Sequence, residues 1–81
     1  MRFTVAVTGS GSLIGQGIIK ALRMSSLDIR VVALDYFRHA VGLYWAEARY
    51  LLPDVLLPEV SEEHYLEVLT DILKHEQVQV V

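Results

Sequence analysis

The sequence predicts an α/β domain in which a mainly parallel β-sheet is covered by helices on both faces. Segments rich in β-branched residues alternate with segments whose apolar residues recur at helical spacing. The first strand runs into a turn that contains Gly9, Gly11 and Gly15, and then into a helix. A strand, a helix and a second strand within residues 3–35 form a βαβ unit, whose right-handed crossover requires parallel strands.

The elements of the first half follow one another closely. Phe3 to Thr8 is dense in β-branched residues and predicts a strand that is buried on both faces. Residues 13–24 predict a helix, and residues 29–34 predict a second buried strand that ends at Asp35. The helix is predicted from four apolar residues at helical spacing, which are Ile14, Ile18, Ala21 and Leu22.

The second half predicts two more helices and two shorter strands. A short helix is expected from about Ala40 to Glu47, followed by a third strand over residues 49–52 that Pro53 closes. Ser61 is a good N-cap for a last helix, and residues 78–81 begin a fourth strand. The predicted inward stripe of the last helix is Leu66, Leu69, Ile72 and Leu73. This order predicts a three-layer, Rossmann-like α/β fold with about four strands.

Composition limits the domain and its partners. The 81 residues form one small domain, and their hydrophobic content of 53% exceeds the roughly 45–50% of soluble domains. This excess and the apolar residues 78–81 predict the N-terminal part of a longer protein. A net charge of −3 without a basic cluster argues against a nucleic-acid surface. No segment approaches the ~20 apolar residues of a membrane span, so we expect a cytoplasmic protein without a membrane partner.

Metal and thiol chemistry are not expected. The sequence has no cysteine, and His39, His64 and His75 lack the spacing of metal ligands. The acidic residues of the last helix are best explained as its solvated face, not as a catalytic carboxylate pair. We therefore expect neither a metal site nor catalytic residues within this chain.

The glycine turn is the strongest candidate for a functional element. A turn between a strand and a helix leaves backbone N–H groups unpaired at the helix start, where the helix dipole favours phosphate or carboxylate. Ser10 and Ser12 add hydroxyl donors, and Asp35 ends the neighbouring strand. A purely structural role is the alternative, because a tight turn between strand and helix can itself require glycines.

The spacing of the glycines differs from that of known nucleotide turns. Ile14 stands where the dinucleotide fingerprint has its third glycine, and no Gly-Lys-Ser/Thr of a P-loop follows. Residues 8–15 resemble the turn of extended short-chain dehydrogenases and epimerases, but Ser12 replaces their middle glycine. The N-terminal NAD(P)-binding part of such an enzyme is one alternative function, in which Asp35 would bind ribose hydroxyl groups.

A more extended resemblance covers nearly the whole chain. The stretches TGSGSLIGQGIIKAL, GLYWAEARYLLP and EEHYLEVLTDILKHEQVQVV resemble the pre-ATP-grasp domain of ATP-grasp ligases. Within these ligases, the sequence resembles the branch that is similar to the large chain of carbamoyl-phosphate synthase. In that family the order is glycine turn, strand ending in Asp, Ala-Asp-x-x-Tyr-x-x-Pro, helix and strand. Here residues 46–53 fit this pattern, with Glu47 in place of Asp.

The resemblance implies an ATP-dependent ligase that joins a carboxylate, through an acyl phosphate, to an amine or another nucleophile. ATP and Mg²⁺ would bind in the following subdomains, so residues 1–81 would be a non-catalytic domain that packs against the remainder of its own chain. The residues implied to face a small-molecule carboxylate substrate are Gly9, Ser10, Gly11, Ser12, Leu13 and Asp35. A third possibility is a stand-alone binding module that forms a homodimer through its exposed strand.

Overall fold

A computed structural model describes residues 2–36, 46–54 and 56–81 of the chain. Its elements, in order, are β1 (Arg2–Thr8), α1 (Leu13–Met24), β2 (Asp28–Asp35), β3 (Ala48–Leu51) and α2 (Glu62–His75). The three strands form one sheet in the order β1-β2-β3, and both strand pairs are parallel. The predicted α/β class with a parallel sheet is therefore confirmed.

Several predicted elements differ from the structure in their bounds, and β1 and β2 each begin one residue earlier than predicted. The third strand begins and ends one residue earlier than predicted, at Ala48 and Leu51. Most of the short helix predicted at about Ala40–Glu47 falls on residues 37–45, which lie outside the described residues. Ala46 and Glu47 are not helical, because the Glu47 N–H already donates to the Val31 carbonyl oxygen at 3.0 Å as the chain enters the sheet.

The chain returns to the sheet beside β1 at its end. Val80 forms a parallel bridge with Val5, and its carbonyl oxygen accepts from the Ala6 N–H at 2.8 Å. The Gln79 N–H donates to the Thr4 carbonyl oxygen at 2.9 Å. This pairing is in the place where the fourth strand was predicted, on the edge of β1 that faces away from β2.

The core consists of two clusters that share β2. One cluster contains Ala6, Val32 and Leu34 with Ile72 of α2. The other contains strand residues that alternate with these, and they pack against Ile19 of α1. Because successive side chains of a strand point to opposite faces, α1 and α2 lie against opposite faces of the sheet. The strand residues of the second cluster are Val7, Val31 and Ala33.

Three of the four apolar residues that predict α1 are exposed in the structure. The helix buries Gly15 and Ile19, whereas Ile14, Ile18 and Ala21 are exposed. The physical reason lies at Gly15, where an added Cβ would come within 2.2 Å of the Gly9 carbonyl oxygen. Only a glycine allows this approach, so the close contact at Gly15 fixes the rotation of α1 and turns Ile14 and Ile18 outward.

The last helix follows the prediction more closely. Ser61 is its N-cap and accepts from the His64 N–H at 3.1 Å, and Ile72 is buried as predicted. Leu66 is 57% exposed, so its place in the inward stripe was wrong. Tyr65 and Leu69, one turn apart, pack on the core, and Leu66 lies about 100° further around the helix. Among the described residues, neither helix has the length and apolar content needed to cross a membrane.

The carboxylate of Glu47 joins α1 to the sheet. It accepts from both terminal nitrogens of Arg23, at 2.9 and 3.1 Å, and from the Val31 N–H at 2.7 Å. The hydrogen bonds from Arg23 are the main reason that the pKa of Glu47 falls from 4.5 to about 2. This carboxylate therefore holds the end of α1 beside the start of β3.

A second carboxylate joins the end of α2 to the opposite face of the sheet. Glu76 accepts from the Arg30 guanidinium on β2 and from the Tyr50 hydroxyl on β3. These two partners lower the pKa of Glu76, and the bond to Glu76 raises the pKa of Tyr50. Each helix is thus tied to the sheet by one carboxylate as well as by its apolar face.

Replacing Glu47 by Gln is expected to lower the free energy of unfolding by about 1–2 kcal/mol at neutral pH, because hydrogen bonds to a charged group contribute about 1.5–3 kcal/mol and solvent screening reduces this value. The pKa in the folded chain, about 2, lies below the reference value of 4.5. The contribution is therefore present above pH 4.5 and is lost as the pH falls towards 2.

Urea unfolding of the wild type and Glu47→Gln, at neutral pH and at about pH 2.5, measures this difference. The control is Glu67→Gln on the exposed surface of α2, which is expected to change stability by less than about 0.5 kcal/mol. A Glu47→Gln difference that is as large in acid as at neutral pH would contradict the assignment.

Candidate functional site

The glycine turn is closed by hydrogen bonds within itself. Gly9, directly after β1, has a φ of +60°, in the left-handed region that glycine adopts without strain. The Ser12 N–H and hydroxyl both donate to the Gly9 carbonyl oxygen, at 2.9 and 2.7 Å. The Ser12 hydroxyl oxygen also accepts from the Gly15 N–H at 3.0 Å. Ser12 is therefore the N-cap of α1 and binds the turn to the first turn of the helix.

Asp35 connects the end of β2 to this turn. One of its carboxylate oxygens accepts from the Gly11 N–H at 2.7 Å, and the side chain is almost completely buried. The neighbouring Ser10 N–H donates to the Leu34 carbonyl oxygen at 3.1 Å. On the other side, the Asp35 carbonyl oxygen accepts from the Leu52 N–H at 2.8 Å, just after β3. Asp35 thus lies between the ends of all three strands.

Few donors of the turn are free for a ligand. The N–H groups of Ser10, Gly11, Ser12 and Gly15 are all paired within the chain. Those of Leu13 and Ile14, at the start of α1, have no partner among the described residues. The turn therefore offers two outward N–H groups at the helix start, fewer than the sequence predicts.

The two serine hydroxyls of the turn are not directed to a ligand either. Ser12 uses its hydroxyl on the turn itself, as described above. Ser10 is completely buried, and its hydroxyl oxygen has no hydrogen-bond partner in the described part of the chain. An unpaired buried hydroxyl is costly by about 1–3 kcal/mol, so it marks a position where the turn is not optimised for stability alone.

A cavity of about 340 Å³ lies at the carboxyl edge of the sheet, beside the turn. Its walls come from the ends of β1 and β2, from residues 52–54 and 56, which follow β3, and from Tyr65 of α2. Of the predicted site residues, Gly9 and Asp35 line this cavity, whereas Ser10, Gly11, Ser12 and Leu13 do not. The lining residues that sequence analysis did not assign to a site are Thr8, Tyr36, Leu52, Pro53, Asp54, Leu56 and Tyr65.

A sequence signal for part of this lining exists. Ligands of open parallel sheets bind beyond the carboxyl ends of the strands, and Pro53 and Asp54 directly follow the third predicted strand. Tyr65 gives no such signal, because its position in the sequence predicts only packing against Val60 at the helix start. Its contact with the cavity follows from the way α2 lies across the strand ends.

The chemistry of the cavity favours neutral or positively charged groups. Its described lining contains the carboxylates of Asp35 and Asp54 and the rings of Tyr36 and Tyr65, but no lysine or arginine. An anion placed there would lie close to two carboxylates, which is unfavourable in a partly enclosed site. The apolar part of the lining suits the carbon skeleton of a small molecule.

Side chains that bind metal ions are not clustered in the described part of the chain. Within residues 2–36, 46–54 and 56–81, no group of three or more His, Cys, Asp or Glu side chains could hold a metal ion. The Asp35 carboxylate is already bound to the turn, and His39, which was not expected to be a metal ligand, lies outside the described residues. A triphosphate would find only two free N–H groups at the start of α1.

Comparison of the chain with known protein families, with curated proteins and with solved structures finds no match. A function for this chain is therefore inferred from the geometry and chemistry of the cavity and of the turn beside it.

Replacing Gly15 by Ala is expected to destabilise the chain by about 1–3 kcal/mol or more, because the new Cβ would meet the Gly9 backbone at 2.2 Å. Gly17 is the matched control on the same helix, since a Cβ there meets nothing within 4 Å. Gly17→Ala is expected to stabilise the chain by about 0.5–1 kcal/mol.

Urea unfolding at one fixed protein concentration measures both variants. If Gly15→Ala were as stable as Gly17→Ala, the close approach between α1 and the turn would be contradicted.

Proposed function

We propose that this chain is the substrate-side N-terminal domain of an ATP-dependent ligase that joins a carboxylate to an amine, or to a related nucleophile, through an acyl phosphate. One observation carries the proposal. A cavity of small-molecule size lies at the carboxyl edge of the sheet, beside a glycine turn whose N–H groups are mostly paired within the chain. A sheet edge with this cavity, and with few free N–H groups for phosphate, can receive a substrate while the nucleotide binds elsewhere.

The proposal includes a three-layer, Rossmann-like architecture of about four strands. The opposite placement of α1 and α2 supports it. The bridge between Val5 and Val80 supports it as well, because it extends the sheet to the order Val80-β1-β2-β3. This order is that of the first four strands of a doubly wound dinucleotide-binding sheet.

ATP and Mg²⁺ bind, in this proposal, to the remainder of the same polypeptide, in subdomains that follow residue 81. Residues 1–81 supply no catalytic residue, and their role is to hold one substrate against the catalytic part. The parent enzyme is proposed to be a cytoplasmic ligase.

The charges of the cavity indicate how a substrate would lie in it. Asp35 and Asp54 disfavour a carboxylate inside the cavity and favour an amino group or a neutral end. A carboxylate substrate would therefore place its neutral or amino-bearing end against Tyr65 and Leu52. Its carboxylate would lie outside the cavity, where an acyl phosphate could form at the nucleotide.

A second candidate function is the NAD(P)-binding part of an extended short-chain dehydrogenase or epimerase. The position of Asp35 at the end of β2 favours it, because an acidic residue there binds ribose hydroxyls in dinucleotide sites. The bond from the Gly11 N–H to Asp35 opposes it, since a bound dinucleotide would need both groups. We therefore favour the ligase over the dehydrogenase or epimerase.

Isothermal titration calorimetry of the 81-residue chain with Mg·ATP and with NADH separates the two candidates. We expect neither nucleotide to bind with a dissociation constant below about 1 mM, because the turn keeps few free donors and the cavity repels anions. Micromolar binding of Mg·ATP would contradict the absence of a nucleotide site in this chain.

Micromolar binding of NADH that Asp35→Asn weakens at least about tenfold would instead select the dehydrogenase. A positive test of the ligase is available downstream. The reading frame beyond Val81 is expected to encode a lysine and then a cluster of Glu and Asn for Mg²⁺, whereas a tyrosine followed four residues later by a lysine would favour the dehydrogenase.

A further inference from the structure

The helix α1 has an apolar face that the core of the chain does not use. Leu13 is 85% exposed, Ile14 78% and Met24 86%. At 100° per residue, the exposed apolar positions occupy a continuous arc of about 140° on the side away from the sheet. The residues of this arc, which we call the α1 outer face, are Leu13, Ile14, Gly17, Ile18, Ala21 and Met24.

Such a face is unusual for a helix that covers a sheet. Single exposed apolar residues are common, but a contiguous patch marks an interaction surface. The other helix provides an internal comparison, because Leu66 is the only large apolar residue among the exposed positions of α2. The exposed positions of α2 are otherwise Glu62, Glu63, His64, Glu67, Thr70, Asp71, Lys74 and His75.

The shape of the α1 outer face suits a second helix. Gly17 and Ala21, one turn apart, form a shallow groove, and a Cβ at Gly17 would meet nothing within 4 Å. Ile14 and Ile18, also one turn apart, form a ridge directly beside this groove. Ridges of residues four apart pack into the grooves of another helix at a crossing angle of about −50°. Two copies of α1 related by a two-fold axis would each place the ridge in the other's groove.

Charge and area favour a second copy of the chain over other partners. The α1 outer face carries no charge, so a two-fold contact brings no like charges together. Burying its four large side chains and the small groove would remove on the order of 500 Å² per copy, or about 1,000 Å² in total, which is the lower range of specific interfaces. A membrane-surface helix would need several free basic residues, but α1 has Lys20 and Arg23, and Arg23 is bound to Glu47.

We propose that the α1 outer face is a dimerisation surface through which two copies of this chain associate about a two-fold axis. The proposal goes beyond the ligase function and does not depend on it. It also places the contact on a helix, rather than on the exposed strand that sequence analysis suggested for a homodimer. The cavity at the carboxyl edge shares none of the residues of the α1 outer face, so each subunit of the dimer keeps its cavity.

Sedimentation velocity of the 81-residue chain, from about 1 to 500 μM at neutral pH, tests the proposal. We expect a reversible dimer with a dissociation constant in the micromolar range, as interfaces of this size commonly give. The double variant Ile14→Glu/Ile18→Glu is expected to be monomeric at all these concentrations, because two charges per copy would be buried. The matched control is Leu66→Glu on α2, which should dimerise like the wild type.

A second variant keeps the test decisive if the double variant does not fold. Gly17→Leu fills the groove at a position with open space, and it should weaken the dimer at least about tenfold while circular dichroism shows unchanged helix content. A wild type that stays monomeric to 500 μM would overturn the proposal. So would a dimer that survives both sets of substitutions, or binding of the monomer to phosphatidylcholine–phosphatidylglycerol vesicles that Ile14→Glu/Ile18→Glu abolishes.

Discussion

The hydrogen bond from the Gly11 N–H to the Asp35 carboxylate is the interaction on which the candidate site depends. It joins the turn after β1 to the end of β2, and the Asp35 carbonyl oxygen extends the connection to the chain after β3. The bond satisfies a carboxylate that is almost completely buried and would otherwise be costly. It also occupies the donor that a pyrophosphate would need. The same bond therefore organises the carboxyl edge and leaves the turn with few free donors.

Carboxylates have a similar connecting role elsewhere in the chain. Glu47 binds the end of α1 to the sheet, and Glu76 binds the end of α2 to the other face. In both cases an arginine is the main charged partner, and the folded chain keeps the carboxylate ionised at lower pH than usual. The contacts of Glu47 give an acidic residue at this position a structural reason, because it pairs a helix with the incoming third strand.

The class of fold and the order of its elements could be predicted because they depend on local pattern. β-Branched runs, the helix caps and the glycine turn are all visible in the sequence, and Ser61 and Asp35 lie where they were predicted. The rotation of α1 could not be predicted, because apolar periodicity does not show which apolar face is buried. A contact of Gly15 with the Gly9 backbone decides it, and that contact exists only in three dimensions. Of the residues that line the cavity, Gly9 and Asp35 were among the predicted site residues, because they follow strand ends. Tyr65 could not be predicted, because it reaches the cavity from a helix that is distant in sequence.

The most direct test of this view of the turn is amide hydrogen exchange at Gly11, measured by NMR on the 81-residue chain. A Gly11 N–H bound to the buried Asp35 carboxylate should exchange at least about tenfold more slowly than the free N–H groups of Leu13 and Ile14. Asp35→Ala should remove this protection while the amides of the β2 strand remain protected. If Gly11 instead exchanges as fast as Leu13 and Ile14 in the wild type, the turn is open to ligands, and the central role assigned to Asp35 is contradicted.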